Sequence, residues 1–242
     1  MAGRTTSRGA RSGPTTVDVV VEVGAKRIFA SALDWPGWVR SAKASQGDDA
    51  ALVALADYTL RYAPVAGRAE LAVEFAAAGA TASGGHRLRV VDRLRGDATT
   101  DFGAPSQASE VEQEAVDATA AQRLVALLDA CWSTLDHVAA EAPDELRKGP
   151  RGGGRDRDAV VAHVVNAEVA YARRLGLRQV SAPDLGDRAA VDDLRARVRA
   201  TLADALPGGA AGAGSWSPRY AVRRMAWHVL DHAREIEDRA QP

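Results

Sequence analysis

Helix-breaking residues in the second half of the chain restrict its fold more than any other feature. From residue 110 onward, four segments with apolar residues at helical spacing are separated by clusters rich in glycine and proline. Each segment carries one apolar stripe, and helices of this length bury such stripes most simply against one another. The predicted helices cover about residues 110–141, 156–177, 189–206, and 218 almost to the end of the chain. The sequence therefore predicts an antiparallel four-helix bundle over residues 106–242.

The first half of the chain has the pattern of a small α+β module. Runs of β-branched and alternating residues predict strands, and the apolar spacing after Asp48 predicts one helix. The predicted elements are a hairpin over residues 17–33, a helix from Asp48 to about Pro64, and strands at residues 71–75 and 87–94. The pattern becomes helical at the Ser109–Glu112 capping box, which places a domain boundary near residue 105. We therefore expect an α+β fold with a module at residues 17–105 before the bundle.

Charge and composition limit the kinds of partner. With 31 basic and 32 acidic residues the formal net charge is −1, so no overall field would attract the protein to nucleic acid or to an anionic membrane. The chain lacks the roughly 18 consecutive apolar residues that a membrane span needs. Residues 1–16 form a basic segment that we expect to be a disordered tail. The one cysteine, Cys131, lies on a buried stripe and fits a core residue of a cytoplasmic protein. We expect a small molecule as the partner.

Three histidines are the strongest candidates for chemistry. His228 and His232 lie four residues apart on the last predicted helix, so both imidazoles share one face, and that face is the inward one. His163 lies on the inward stripe of the second predicted helix. A buried ring nitrogen without a partner costs about 1–3 kcal/mol, and a shared cation would satisfy several rings at once. Three protein ligands also leave coordination positions open, which is the pattern of a catalytic metal ion.

The residue types do not select one metal. Zinc, nickel, iron and cobalt all accept imidazole ligands. We expect one divalent transition metal ion, and zinc and nickel are the preferred candidates. The alternative is a pair of half-exposed histidines that bond to neighbouring acids, for which Asp231, Glu235 and Asp238 are available. If a metal ion is bound, the same carboxylates would orient the rings.

Other residues leave two interpretations open. Arg224, one turn before His228, would either point at an anionic ligand above the metal or lie in solvent. Trp35 and Trp38 flank a Pro-Gly turn and would either pack in the core or recognise a ligand. We expect His86 and His137 at the surface, since one lies in a glycine-rich loop and the other lies off its helical stripe.

The second half resembles the DinB-like (YfiT-like) superfamily over about residues 110–242. The resemblance rests on His163 in DAVVAHVVNAE and on His228 and His232 in AWHVLDHAREIED. It implies a four-helix bundle with a divalent metal ion held by these three histidines. It also implies a thiol-dependent S-transferase or a hydrolase acting on a small molecule, with a low-molecular-weight thiol as co-substrate, and a homodimer as one assembly.

The first half is similar to the small α+β module of HicB-like proteins, in the run FASALDWPGW followed by DDAALVALADY. This similarity implies a relation of fold. Two functions therefore stay open. One is a metal-dependent transferase or hydrolase. The other is a non-catalytic binding module, in which the N-terminal domain recognises a ligand or a protein and the metal is structural.

Overall fold

The N-terminal part of the chain folds around a sheet. The computed structural model describes residues 16–79, 88–149, 153–209 and 215–240. Within these residues the strands form one four-stranded sheet in the order β3-β2-β1-β4. The strands are β1 Val17–Val23, β2 Arg27–Ala32, β3 Val39–Lys43 and β4 Leu88–Arg95. β1 and β2 form the predicted hairpin, β3 extends it antiparallel, and β4 lies parallel to β1. A parallel pair needs a long crossover, and helices occupy it here.

The helices of the first half differ from the prediction in two places. They are α1 Asp48–Asp57, α2 Thr59–Arg68, α3 Ala72–Gly79 and α4 Ala98–Phe102. The single helix predicted from Asp48 is two helices, and Pro64 lies inside α2, on its exposed side, instead of ending it. The strand predicted at residues 71–75 is wrong. Phe75 and Ala78, three residues apart, both pack into the core, which is helical spacing.

The four predicted bundle helices are confirmed. They are α5 Ala118–Glu141, α6 Arg157–Leu175, α7 Arg188–Ala205 and α8 Pro218–Ala240. The first begins eight residues later than predicted, because the Ser109–Glu112 box caps only a short 3₁₀ turn over Glu110–Gln113. Asp117 caps α5 instead, through a side-chain hydrogen bond from the amide of Ala120.

The directions of the helices follow from their contacts. α6 runs opposite to α8, since His163 contacts His232 while Tyr171, further along α6, contacts His228. α5 and α8 run the same way, because their last turns together line one cavity of about 500 Å³. α7 runs opposite to α5, as two ion pairs show: Arg188–Asp136 and Arg199–Asp129. The predicted α+β class is confirmed, and in the bundle α5 and α8 run one way while α6 and α7 run the other.

One buried core joins the sheet to the bundle. Residues from both sides of position 105 belong to the same apolar cluster, among them Val19, Leu55, Leu127 and Leu230. On the other face of the sheet, Phe29 meets Trp227 of α8 edge to face, with ring centroids 6.2 Å apart. α8 therefore packs against the sheet as well as against its own bundle.

Trp35 and Trp38 are core residues. Their exposed fractions are 4% and 0%, and the indole nitrogen of Trp38 donates to the carbonyl of Leu55 at 2.8 Å. Both rings pack against Tyr62 and Phe75. Packing is the correct interpretation, and a recognition surface built on these two tryptophans is wrong. In the described part of the chain, none of the helices is both long and apolar enough to cross a membrane.

Candidate metal centre

Three imidazoles meet between α6 and α8. The ring of His163 lies with its centroid 5.1 Å from that of His228 and 4.8 Å from that of His232, and the two rings on α8 are 4.6 Å apart. One ring nitrogen of each lies within 4.8 Å of the others. A tetrahedral zinc ion holds its nitrogen ligands about 3.4 Å apart. The nitrogens lie within 4.8 Å of one another, so the structure brings together all three residues that the sequence predicts.

His228 is the most buried of the three. Its exposed fraction is 6%, and its Nδ1 has no hydrogen-bond partner among the residues that the structure describes. Burial, together with the nearby His232 and Arg224, lowers the pKa of His228 from 6.5 to about 2. The ring is therefore neutral and keeps a lone pair for a cation. A buried nitrogen left without a partner costs about 1–3 kcal/mol, which a bound cation would offset.

Glu235 orients His232. The Nδ1 of His232 lies 2.7 Å from the Oε2 of Glu235, and this hydrogen bond is the main reason that the pKa of Glu235 is lowered. An ionised carboxylate only accepts, so Nδ1 carries the proton and Nε2 is the nitrogen left to bind a cation. Glu235 is held by Arg239 at 2.8 Å and by Arg155 at 3.8 Å. Of the three acids proposed from the sequence, Glu235 is the one that bonds to a ring.

Asp238, by contrast, pairs with Arg61 of α2. The alternative interpretation, in which neighbouring acids satisfy the histidines, therefore holds for one ring nitrogen of His232 and leaves the buried nitrogen of His228 unmet.

His163 forms the open side of the cluster. Its side chain is exposed, in contrast to the buried His228. Partial desolvation of its ring, followed by the charge of Arg155, lowers the pKa of His163. The cluster therefore meets solvent on the side of this residue, while α8 closes the opposite side.

Aromatic rings line the cluster on the side towards the start of α8. Tyr171 meets the ring of His228 edge to face at 5.5 Å, and Trp216 packs on Tyr171 at 5.2 Å. The guanidinium of Arg224 lies 4.5 Å from the ring of Trp227 and 5.1 Å from that of Tyr171. Arg224 is half-buried, and its Nη1 is fully buried, so the side chain lies partly inside the fold.

The sequence carried a signal for only part of this wall. Tyr171 lies two helical turns after His163 on the same predicted inward stripe, so its place beside the cluster could have been read from the spacing. Trp216 precedes α8 in a segment without helical periodicity, and only the folded chain brings it onto Tyr171.

The remaining candidates lie elsewhere. His137 is exposed and its Nε2 lies 3.5 Å from Glu141, so it is a surface residue as predicted. Cys131 is fully buried, and burial raises the pKa of its thiol far above the usual range, which confirms a core residue. His86 and the predicted tail at residues 1–16, apart from Thr16, lie outside the described residues.

Comparison of the chain with protein-family models, with curated proteins and with solved structures found no match. The DinB-like and HicB-like resemblances stay predictions. The functional argument therefore depends on the geometry of this site.

Proposed function

We propose that His163, His228 and His232 bind one divalent transition metal ion, zinc or nickel, and that the protein is a metal-dependent transferase or hydrolase for a small molecule. The observation that carries the proposal is the convergence of three ring nitrogens within 4.8 Å, one of them on a ring whose buried Nδ1 has no partner in the described chain. Imidazole suits both metals.

The residues around the rings support a catalytic ion over a structural one. Three protein ligands leave at least one coordination position free, and the exposed side chain of His163 leaves that side accessible. An ion with open positions lowers the pKa of the thiol or water that it binds, which fits a low-molecular-weight thiol as co-substrate. Glu235 fixes the tautomer of His232 that leaves Nε2 unprotonated. His232 therefore needs no proton transfer before it binds the metal ion.

The alternative is a non-catalytic protein in which the metal is structural and the N-terminal module binds a ligand or a protein. Three exposed apolar side chains on that module favour it: Leu60 at 84%, Val73 at 81% and Phe102 at 92% exposed. Against it stands the burial of Trp35 and Trp38, which removes the aromatic residues expected to carry recognition.

The partner and the cellular location that we propose follow from the net charge and from the free thiol. The near-zero net charge favours a small molecule over nucleic acid or a membrane surface as the partner. The free thiol of Cys131 supports a cytoplasmic location. Homodimer formation stays a prediction.

Metal content tests the centre directly. Protein purified without chelator should contain about one transition metal ion per chain by elemental analysis. The variants His228→Ala and His232→Ala should each lose it. The matched control is His137→Ala, which removes an exposed histidine outside the cluster and should leave the metal content unchanged. Full metal content in both cluster variants would overturn the proposal.

Glu235→Gln tests the orientation of the ligand set. Loss of a carboxylate that holds a ligating histidine weakens metal binding by about 10- to 100-fold. Competition with a coloured chelator measures this change. Glu237→Gln is the control on the same helix, since Glu237 bonds to Arg234 and Arg61 and not to a ring. Equal affinity in both variants would show that Glu235 has no part in the centre.

Turnover separates the enzyme from the binding module. Metal-loaded protein should transfer low-molecular-weight thiols to small electrophiles or hydrolyse a small substrate, and His228→Ala should not. Activity that survives in His228→Ala would contradict the proposed reaction centre. Stable metal binding without turnover on any substrate would favour the structural alternative.

A further inference from the structure

Arg224 differs from the other arginines that lie inside the fold. Arg195, Arg223 and Arg234 are buried and each pairs with a carboxylate at 3.3 Å or less. In the described chain Arg224 contacts the rings of Tyr171 and Trp227 but neither hydrogen-bonds to nor pairs with a carboxylate, and its Nη1 is buried without a partner. A buried charged donor left unpaired is costly, so its retention calls for a partner that the described residues do not supply.

The position of Arg224 connects this unmet donor to the histidine cluster. It lies one helical turn before His228 on α8, and the Tyr171 ring on which it packs also contacts the ring of His228 at 5.5 Å. The ring of Trp227, on which the guanidinium also packs, has its centroid 6.0 Å from that of His228. A molecule bound at the cluster would therefore come within reach of the guanidinium.

The aromatic contacts define the kind of group that can complete the site. Two ring faces already pack against the guanidinium, so the contacts that remain available are its N–H groups, which point outward in the guanidinium plane. A carboxylate is planar and accepts two such N–H donors side by side. The charges agree with this ligand. The one carboxylate that bonds to a ring of the cluster, Glu235, is already paired with Arg239. Among the described residues, no carboxylate pairs with Arg224 on this side of the cluster.

We propose that Arg224 binds a carboxylate of the molecule on which the centre acts, so that the substrates of this protein are small carboxylic acids. The inference rests on the proposed metal-dependent function and specifies its substrate class. Tyr171 and Trp227 hold the guanidinium in place and exclude water around it, which strengthens a charge-assisted hydrogen bond.

Two small thiols of equal size test the inference. Cobalt-loaded protein is titrated with mercaptoacetate and with 2-mercaptoacetamide, and the absorption of the sulfur–cobalt bond reports binding. The two probes differ in the carboxylate alone. The wild-type protein should bind mercaptoacetate about tenfold more tightly or better, which is the effect expected of one buried charge-assisted hydrogen bond. Arg224→Gln should abolish that preference without changing cobalt content.

Arg199→Gln is the matched control, because Arg199 pairs with Asp129 on α5 and should leave the preference intact. Equal affinity of the wild-type protein for the two thiols, or no binding of mercaptoacetate, would overturn the inference. So would a preference that survives in Arg224→Gln, since the carboxylate would then be bound by another group. In each of these results cobalt is bound and the proposed centre stands. Failure to bind cobalt at all would instead remove the proposed function, and the inference with it.

Discussion

Arg223 and Arg224 are neighbours in the chain and have opposite surroundings. Arg223 is 2% exposed, and it donates to both carboxylate oxygens of Glu112, at 2.6 and 2.8 Å, and to the carbonyl of Gln107 at 2.8 Å. Arg224 packs on two aromatic rings and keeps a buried Nη1 without a partner in the described chain. One residue turns the helix by about 100°, so the two side chains leave α8 on different faces. One face holds the fold together, and the other faces the histidine cluster.

The polar groups on the face of Arg223 satisfy one another. Next to the pair of Glu112 and Arg223, the buried carboxylate of Glu22 on β1 accepts from the hydroxyl of Thr100 at 2.5 Å and from the amide of Gln107 at 3.0 Å. These bonds tie the connection between β4 and α5 to the sheet and to α8. Buried charges are stable in this form, because every donor has an acceptor.

On the face of α8 that carries His228, some buried polar groups have no hydrogen-bond partner among the described residues. A ring nitrogen of His228 and a guanidinium nitrogen of Arg224 are both buried and unmet within the described residues. Groups that support the fold are paired by the chain, whereas groups that bind a ligand keep some of their bonds for it. Trp132, Ser217 and Arg239 also carry a buried polar atom without a partner among the described residues, so what distinguishes the candidate site is that two such atoms belong to residues one helical turn apart, Arg224 and His228.

The largest expected effect comes from removing the buried ion pair between Arg223 and Glu112. Arg223→Met should lower the free energy of unfolding by about 3–5 kcal/mol, because it leaves the carboxylate of Glu112 buried and uncompensated. Urea unfolding measures the loss. Arg199→Met, which removes a surface ion pair, should cost about 1 kcal/mol or less. A similar small cost for Arg223→Met would mean that the two faces of α8 do not differ as described.

An intermediate effect is expected from Tyr220, which lies on the face of α8 that carries Arg223. Its hydroxyl donates to the carbonyl of Ser106 at 2.9 Å, and burial raises the pKa of Tyr220 from 10.0 to about 12. Between these two values the unfolded state loses the proton while the folded state keeps it, so stability falls as the pH rises. Two pKa units correspond to about 2–3 kcal/mol, lost progressively from about pH 10 to pH 12.

The measurement for Tyr220 is urea unfolding between pH 9 and pH 11. Tyr220→Phe removes the titrating group, so its stability should depend less steeply on pH than that of the wild-type protein. The difference between the two slopes isolates this residue from the other tyrosines. Parallel slopes would show that Tyr220 titrates alike in the folded and unfolded states.

The smallest effect is expected from replacing His228, on the face of α8 where buried polar atoms lack partners within the described chain. His228→Leu replaces a buried imidazole by an apolar side chain of similar size. In protein kept free of metal with a chelator, the free energy of unfolding should change by no more than about 1.5 kcal/mol in either direction, because relief of the unpaired nitrogen offsets imperfect packing. Urea unfolding again measures it. A loss as large as that predicted for Arg223→Met would show that His228 serves the fold and not a ligand.

Local patterns in the chain were enough to predict much of this protein. The four bundle helices, the hairpin and the inward position of His228 follow from spacings between near neighbours, since helical and extended backbones repeat at known periods. His163, predicted to face inward as well, joins the cluster from its exposed side. The error at residues 71–75 has the same origin. Five mostly apolar residues fit a strand as well as a helix, and the packing of Phe75 onto Trp35 and Trp38 settles the choice.

Contacts between distant residues could not be predicted in this way. Glu112 and Arg223 are 111 positions apart, and nothing near either residue indicates that the other will neutralise it. Arg224, one position further, was placed near His228 by its spacing, but nothing near it in the chain indicates that it packs on the rings of Tyr171 and Trp227. The free energy of a buried charge depends on the groups within a few ångströms of it, and folding brings those groups from elsewhere in the chain. Helical periodicity therefore placed the histidines, whereas the fold determined which arginine supports the structure and which one faces the site.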